Sequence, residues 1–142
     1  MIKPHDYQRD GLNEIYLGFK KHDKLLYQLS TAGGKTFVFS FLSKYWSENH
    51  NCKVLILCHR SELVDQTISS MNMIGVTCEG ITAKTKKLNH NSSCYVAMVE
   101  TIHNRLIKNP YFLKDVGLVI ADECHVQVFN KVFDFFPNCK IL

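Results

Sequence analysis

The sequence predicts an α/β fold of three layers, in which a mainly parallel β-sheet is covered by helices on both faces. Three observations predict it. Short continuous apolar segments alternate along the chain with segments whose apolar residues recur every three or four positions. The continuous segments lack polar alternation, as in strands that are buried on both faces. Polar residues follow directly after several of them, which is where parallel sheets bind ligands.

In the first half of the chain, apolar spacing predicts three helices and two strands. One apolar face at i, i+3, i+4 and i+7 predicts a helix over residues 8–19, and the run KLLYQL at 24–29 predicts a buried strand. Helical spacing returns over 36–46, where four residues are expected to face inward: Val38, Phe41, Leu42 and Tyr45. The run KVLILC at 53–58 predicts a strand covered on both faces, and 61–73 predicts a helix.

The second half continues the alternation of strands and helices. Residues 76–81 are a weaker strand candidate, CYVAMV at 94–99 predicts a buried strand, and 101–108 has helical spacing. The run LVIA at 118–121 predicts a further strand, and a last strand begins at Lys140. Between these two strands, a helix that ends at the proline at position 137 is expected to place three aromatic residues in the core: Phe129, Phe133 and Phe136.

Composition limits the classes of protein that the chain can represent. Its 142 residues have the length of a single domain, and 46% hydrophobic with 21% charged residues excludes a disordered tail or a fibrous repeat. No apolar run has the length of a membrane span or follows the N-terminal positive charge as in a signal peptide. The net charge of +4 permits nucleic-acid binding without arguing for it. The 6 cysteines form no C-x-x-C pair and are expected to be reduced core residues, as in cytoplasmic proteins.

A glycine-rich segment, STAGGKT at residues 30–36, joins the predicted strand at 24–29 to the next helix. Glycines let backbone N–H groups approach an anion, and the start of a helix adds partial positive charge. Lys35 is suited to the β- and γ-phosphates of a nucleotide, and the Thr36 hydroxyl is suited to Mg²⁺. Leu29 stands where the usual phosphate loop has a glycine, so the segment alone also fits a simple strand-to-helix turn.

Two adjacent carboxylates, Asp122 and Glu123, follow the apolar run at 118–121. One carboxylate suits Mg²⁺, and the second can position and deprotonate an attacking water molecule. Taken alone, such a sequence also fits the solvated start of a helix. In combination with the glycine-rich segment, in a chain of alternating strands and helices, the pair predicts nucleotide hydrolysis.

Together these segments resemble the superfamily 2 helicases. Residues 30–36 look like motif I of that family, and residues 122–125 (DECH) look like motif II in its DExH form. Three further segments fall in the family's order: PHDYQ at 4–8, VLILCHRSEL at 54–63 and VAMVETI at 96–102. The resemblance is strongest to the helicases grouped with type III restriction subunits, in which a run similar to FPNCKIL at 136–142 follows motif II.

The resemblance implies a RecA-like P-loop domain that binds ATP, with ATP and Mg²⁺ as its cofactors. Gln8 would read the adenine ring. The residues that would bind the nucleotide phosphates lie in one segment: Thr31, Ala32, Gly33, Gly34, Lys35 and Thr36. Mg²⁺ would be held by Thr36 and Asp122, and catalysis would rest on Lys35, Asp122 and Glu123.

The resemblance also implies nucleic acid as a partner, with DNA favoured over RNA. His59 and Arg60 would lie against the nucleic-acid backbone, Thr101 would contact a phosphate, and His125 would couple the nucleotide to the nucleic acid. Residues 1–142 would form one incomplete N-terminal domain that ends before motif III. The second RecA-like domain is expected C-terminal to this chain in the parent protein, and the 142 residues alone are expected to bind ATP weakly and to hydrolyse it barely. The expected location is the cytoplasm, or a host cytoplasm for a viral or phage protein.

Several alternatives stay open at this point. Arg60 could pair with Glu62 or Asp65 on a solvated surface, and Thr101 could cap a helix, a role compatible with binding phosphate. A basic cluster could follow a nucleic-acid backbone or simply form a solvated loop: Lys84, Lys86 and Lys87. For the whole chain, the alternative is a non-catalytic nucleotide- or nucleic-acid-binding module of the same fold.

Overall fold

The computed structural model describes the following residues: 6–22, 32–50, 52–83, 92–109, 112–113, 115–121, 132–136 and 140–141. For residues 6–8, 32–37 and 140–141 it describes the backbone. The predictions that lie outside the described residues are the strand at 24–29, Thr31, Asp122, Glu123, His125, the lysine cluster and Phe129. Within the described part of the chain, no helix is long and apolar enough to cross a membrane.

The described helices and strands overlap the segments that the sequence predicts for them. The described helices are α1 (Asp6–Phe19), α2 (Ala32–His50), α3 (Ser61–Met73) and α4 (Val99–Lys108). The described strands are β1 (Lys53–Cys58), β2 (Cys78–Ile81), β3 (Cys94–Met98), β4 (Val116–Ala121) and β5 (Lys140–Ile141). Strand β1 and helix α3 have the predicted bounds, because the apolar run and the helical spacing there are both uninterrupted.

The strands form one sheet in the order β2-β3-β1-β4-β5. Every ladder between these described strands is parallel. At the centre of the sheet, Ile56 of β1 pairs with Val96 of β3 on one side and with Ile120 of β4 on the other. The parallel sheet of the predicted fold is therefore confirmed.

Alternate residues of the central strand face two separate hydrophobic cores. Val54 and Ile56 pack in a core with residues of α1, α2 and α3, whereas Leu55 and Leu57 pack with α4 and residues 132–136 on the opposite face. All four side chains are at most 1% exposed. Successive side chains of a strand point to opposite faces, so a strand buried on both sides must be apolar at every position. The helical layers on both faces are confirmed.

Helix α2 differs most from its prediction. It extends from Ala32 to His50, and Phe39 and Trp46 are buried, whereas Tyr45, expected to face inward, is 43% exposed. Because α2 packs against α1, α3 and the sheet together, its buried face is wider than one helical stripe and is centred away from Tyr45.

The aromatic residues near the C-terminal end pack in the core where they are described. Residues 132–133 are helical, and Phe136 is buried while Phe133 packs against the same core from a half-buried position. The core role predicted for these two aromatic residues is confirmed.

The four cysteines in the described part of the chain are free thiols: Cys52, Cys58, Cys78 and Cys94. Cys58 and Cys94 are fully buried, as expected for small core residues. Burial raises the pKa of the Cys78 thiol to about 11, and it raises the pKa of the Cys94 thiol well above its usual value. Both are therefore neutral thiols at physiological pH, in keeping with a structural role.

Candidate functional site

The carboxyl ends of three neighbouring strands lie side by side along one edge of the sheet, which we call the carboxyl edge. Cys58 at the end of β1 pairs with Met98 at the end of β3, and Leu57 pairs with Ala121 at the end of β4. Adjacent strands are about 4.8 Å apart, so segments that follow these ends start close together. Three of the predicted site segments follow these strand ends in the sequence.

Helix α2 runs antiparallel to the strands. Its Trp46 indole nitrogen lies 3.8 Å from the position that a Cβ atom would take at Gly117, near the amino end of β4. Lys44 Nζ donates a hydrogen bond of 3.2 Å to the Ile74 carbonyl, before the start of β2. The C-terminal half of α2 is thus at the amino edge of the sheet. Its first residue, Ala32, is about 21 Å from Trp46 along the helix axis and lies towards the carboxyl edge.

The start of α2 has the properties of an anion-binding helix end. The sequence predicts this helix from Thr36, but it begins at Ala32, so Gly33, Gly34 and Lys35 belong to its first turn. Glycine is unfavourable mainly in helix interiors, so two glycines at the terminus do not prevent the helix from starting there. No acidic residue lies in the first turn, and the first N–H groups of a helix have no intrahelical acceptor. This end carries roughly half a positive charge and is suited to a phosphate.

Arg60 lies immediately beyond the end of β1 and presents an exposed side chain. It occupies the N-cap position of α3 with extended backbone (φ −133°, ψ 142°) and makes no side-chain capping hydrogen bond. Among the residues described with side chains, Arg60 forms no ion pair with Glu62 or Asp65, so the surface-pairing alternative lacks the contact it requires. His59, the preceding residue, is half-buried. The guanidinium is available for a phosphate, and its nucleic-acid role stays a prediction.

Thr101 is not a helix cap, so that alternative was wrong. Helix α4 begins at Val99, and the cap position is Met98, whose side chain makes no capping hydrogen bond. Strand β3 runs directly into α4, which leaves no loop residue for a threonine cap. Thr101 is half-buried in the first turn of α4, next to the carboxyl edge. Its predicted phosphate contact is untested.

Four further predicted site residues lie at the start of a helix or directly follow a strand in the sequence. Gln8 lies in the first turn of α1, and Lys35 and Thr36 lie near the start of α2. Asp122 directly follows Ala121, the last described residue of β4. The described elements therefore bring the start of α2 and the ends of β1, β3 and β4 to the same edge of the sheet.

A groove between α1 and α2 was not predicted from the sequence. It is about 330 Å³ in volume. Its lining residues come from both helices: Arg9, Leu12, Asn13, Tyr16, Leu42 and Tyr45. We call it the α1–α2 groove. The available signal was the placement of Arg9, Asn13 and Tyr16 at i, i+4 and i+7, a polar stripe beside the apolar face of α1.

Comparison with known protein families identifies one match over the full chain. The family described as type III restriction enzyme, res subunit, matches residues 1–142. Among curated proteins, IRC3 of Saccharomyces cerevisiae, classed by name with the ATP-dependent helicases, is 33% identical over 145 residues, which are 95% of this chain and 21% of that protein. The ATP-dependent DNA helicase uvsW of Enterobacteria phage T4 is 28% identical over 150 residues, covering 97% of this chain and 28% of that protein. The chain thus spans less than a third of the length of either relative.

Solved structures share the fold. The crystal structure of the UvsW helicase from bacteriophage T4 superposes with a TM-score of 0.77 at 20% identity, covering 99% of this chain and 51% of that chain. The Type ISP restriction-modification enzyme LlaGI, a nuclease-deletion mutant in complex with a DNA substrate mimic, superposes with a TM-score of 0.73 at 22% identity. That match covers 99% of this chain and 17% of the LlaGI chain. At this level of identity the likeness establishes a common architecture.

Proposed function

Because this chain belongs to the family of the type III restriction enzyme res subunit, we propose that it is the ATP-binding half of an ATP-dependent nucleic-acid helicase or translocase. One observation carries the proposal. The start of α2, with its glycines and without acidic residues in its first turn, lies at the same edge of a parallel sheet as the end of β4. In the sequence, this helix start holds the phosphate-loop-like segment, and the end of β4 leads directly into the two carboxylates.

The nucleotide would bind with its phosphates against the first turn of α2. Gly33 and Gly34 would let backbone N–H groups approach the phosphate oxygens, and Lys35 would neutralise their charge. The donor set fits Mg²⁺, since a hydroxyl from Thr36 and a carboxylate from Asp122 are hard oxygen ligands. When bound, Mg²⁺ would neutralise charge on the phosphate oxygens. Gln8, in the first turn of α1, would select adenine.

Hydrolysis would depend on Glu123, the second of the two carboxylates. Its carboxylate would accept a proton from the attacking water as the water oxygen forms a bond to the γ-phosphorus. The bond between the γ-phosphorus and the bridging oxygen would break, and ADP and inorganic phosphate would leave. Positioning and charge stabilisation provide most of the rate enhancement in phosphoryl transfer. A second RecA-like domain with an arginine finger, in the parent protein, would complete the site.

Nucleic acid would bind along the carboxyl edge, with DNA as the proposed substrate. Two observations support this: Arg60 is exposed and forms no ion pair with Glu62 or Asp65 among the described side chains, and the strands that precede Arg60 and Thr101 pair with each other at their carboxyl ends. The phage relative is named a DNA helicase, and the LlaGI structure contains a DNA substrate mimic. His125 would link nucleotide state to this surface.

Replacing Lys35 by alanine tests the nucleotide site. We expect the affinity of the 142-residue chain for a fluorescent ATP analogue to fall about ten- to a hundredfold, because charge-assisted hydrogen bonds to phosphate are lost. Equilibrium anisotropy titrations measure the effect. The matched control is Lys21→Ala, at an exposed lysine just beyond the end of α1. Equal affinities for the wild-type chain and the Lys35 variant would contradict the proposed site.

Replacing Arg60 by glutamine tests the nucleic-acid surface. We expect DNA binding to weaken for all DNA sequences. The slope of the logarithm of the binding constant against the logarithm of the salt concentration should become shallower by about one, which corresponds to the loss of one phosphate contact. Binding is measured over a series of salt concentrations. The matched control is Lys108→Gln, because this exposed cation lies in the last turn of α4, away from the carboxyl edge. If the Arg60 and Lys108 variants lower this slope equally, Arg60 contributes to DNA binding only through the net charge of the protein.

The alternative, a non-catalytic binding module of the same fold, predicts a different result for Glu123. A motor loses ATP turnover and keeps nucleotide binding when this carboxylate is neutralised, whereas a binding module has no turnover to lose. The two possibilities are therefore separated by a single substitution.

A further inference from the structure

The α1–α2 groove has an apolar floor and two aromatic walls. Leu42 is 2% exposed and forms the floor together with Leu12. The rings of Tyr16 and Tyr45 stand edge to face with centroids 5.4 Å apart and an interplanar angle of 85°. The neighbouring Tyr16 side chain raises the pKa of Tyr45. The volume of about 330 Å³ is close to the lower limit for ligand sites and suits one large side chain.

Two cations lie at the ends of the groove. Arg9 lines one end, and at the other end Lys20 Nζ lies 5.1 Å from the centroid of the Tyr16 ring. Among the lining side chains that the structure describes there is no carboxylate. The exposed carboxylates near the groove, Asp10 and Glu14 on α1 and Glu48 on α2, are not among its lining residues. The groove is complementary to an anionic ligand.

The aromatic contacts favour a peptide over single-stranded nucleic acid. Bases stack on open aromatic faces, but Lys20 covers one face of Tyr16, and the other rings in contact with Tyr16 and Tyr45 are edge-on. Tyrosine and arginine around an apolar pocket are the residues that dominate affinity in protein interfaces. Leu42 and Tyr45 also lie in the half of α2 at the amino edge of the sheet, away from the proposed nucleotide site.

We propose that the α1–α2 groove binds an acidic peptide segment of a partner protein. One aromatic or large aliphatic side chain of the peptide packs in the groove over Leu42, against the Tyr16 and Tyr45 rings, and carboxylates on either side of it pair with Arg9 and Lys20. These two cations are about 16 Å apart along α1, a distance that an extended peptide spans in about five residues. The peptide therefore carries two acidic positions about five residues apart with the hydrophobic residue between them. This site is independent of the proposed ATPase function.

A displayed library of random peptides, selected on the full 142-residue chain, tests the proposal. The selection is counter-screened against the Asn13→Trp variant, in which an exposed residue becomes large enough to fill the groove. We expect enriched peptides to share acidic residues that flank one hydrophobic residue, and to bind the Trp variant more than about tenfold more weakly. Failure to enrich any peptide, enrichment of basic peptides, or equal binding to both proteins would overturn the proposal.

Charge variants then test whether Arg9 and Lys20 form ion pairs with an enriched peptide. Arg9→Gln and Lys20→Gln should each weaken binding about two- to fivefold, as expected for partly exposed ion pairs, and the effect should shrink at high salt. Lys21→Gln is the matched control, because Lys21 is next to Lys20, is exposed and is not among the lining residues. Affinity for the ATP analogue should be unchanged in the Lys20 and Lys21 variants, and the urea unfolding midpoint should be unchanged in all three. If a single-stranded oligonucleotide displaces the enriched peptide and an acidic competitor peptide does not, the groove is a nucleic-acid site and the inference is contradicted.

Discussion

Glutamine in place of Glu123 should lower ATP turnover about 10²–10⁴-fold while leaving ATP binding within a few fold of the wild-type value, since proton transfer by a positioned carboxylate contributes about that factor to rate. The measurement requires a protein that carries this chain together with the second RecA-like domain, saturated with DNA. Steady-state phosphate release gives the turnover, and titration with a fluorescent ATP analogue gives the affinity. The separation of turnover from binding is the diagnostic result, because a general folding defect would reduce both.

The control for this experiment is Glu48→Gln, the same chemical change at an exposed site near the end of α2, at the amino edge of the sheet. We expect it to leave turnover unchanged. If the Glu123 variant retains wild-type turnover, Glu123 is not the base. If the wild-type protein shows no DNA-stimulated turnover under any condition, the non-catalytic alternative is the correct one.

Truncation of Ile56 to alanine should lower the free energy of unfolding by about 2–5 kcal/mol. Ile56 is 1% exposed, lies in the central strand β1, and pairs with Val96 and Ile120 in the adjacent strands. Removal of its side chain takes away apolar contacts and leaves a cavity that the surrounding sheet cannot close. Domains of this kind are stable by about 5–15 kcal/mol, so the loss is a large share of the total. Urea unfolding followed by circular dichroism measures it.

Ile107→Ala is the matched control, because it makes the same change at an isoleucine of α4 that is 58% exposed. We expect a change within about 0.5 kcal/mol, since little apolar contact is lost and alanine favours a helix. Comparable losses at the two positions would show that the burial pattern of the sheet is not as described.

Much of the architecture could be predicted because strands buried on both faces have a strong sequence pattern. Residues 53–58 are apolar after the first lysine, and β1 has the predicted bounds. The alternation with amphipathic helices then indicates parallel pairing, since each helix returns the chain to the same edge. The segments expected to carry the chemistry could be identified for the same reason, as polar residues that directly follow such strands.

Helix starts and the exposure of individual side chains were predicted less well. Thr101 has the residue type of a cap, yet Val99 and Glu100 before it are already helical because β3 leads into α4 without a loop. Tyr45 has the spacing of a core residue, yet contacts from α1, α3 and the sheet rotate the buried face of α2 away from it. Local spacing identifies an apolar face, but the neighbouring elements determine how wide that face is.

The sequence by itself determined the fold class, the family resemblance and the segments expected to carry the chemistry, because hydrophobic periodicity and short motifs are local properties of the chain. Only the tertiary structure decided that α2 runs antiparallel to β4, so that the helix start at Ala32 and the strand end at Ala121 share one edge. It also decided that Arg9 and Tyr45, far apart in the sequence, line one groove. Both are relations between elements, and they depend on how the helices pack on the sheet.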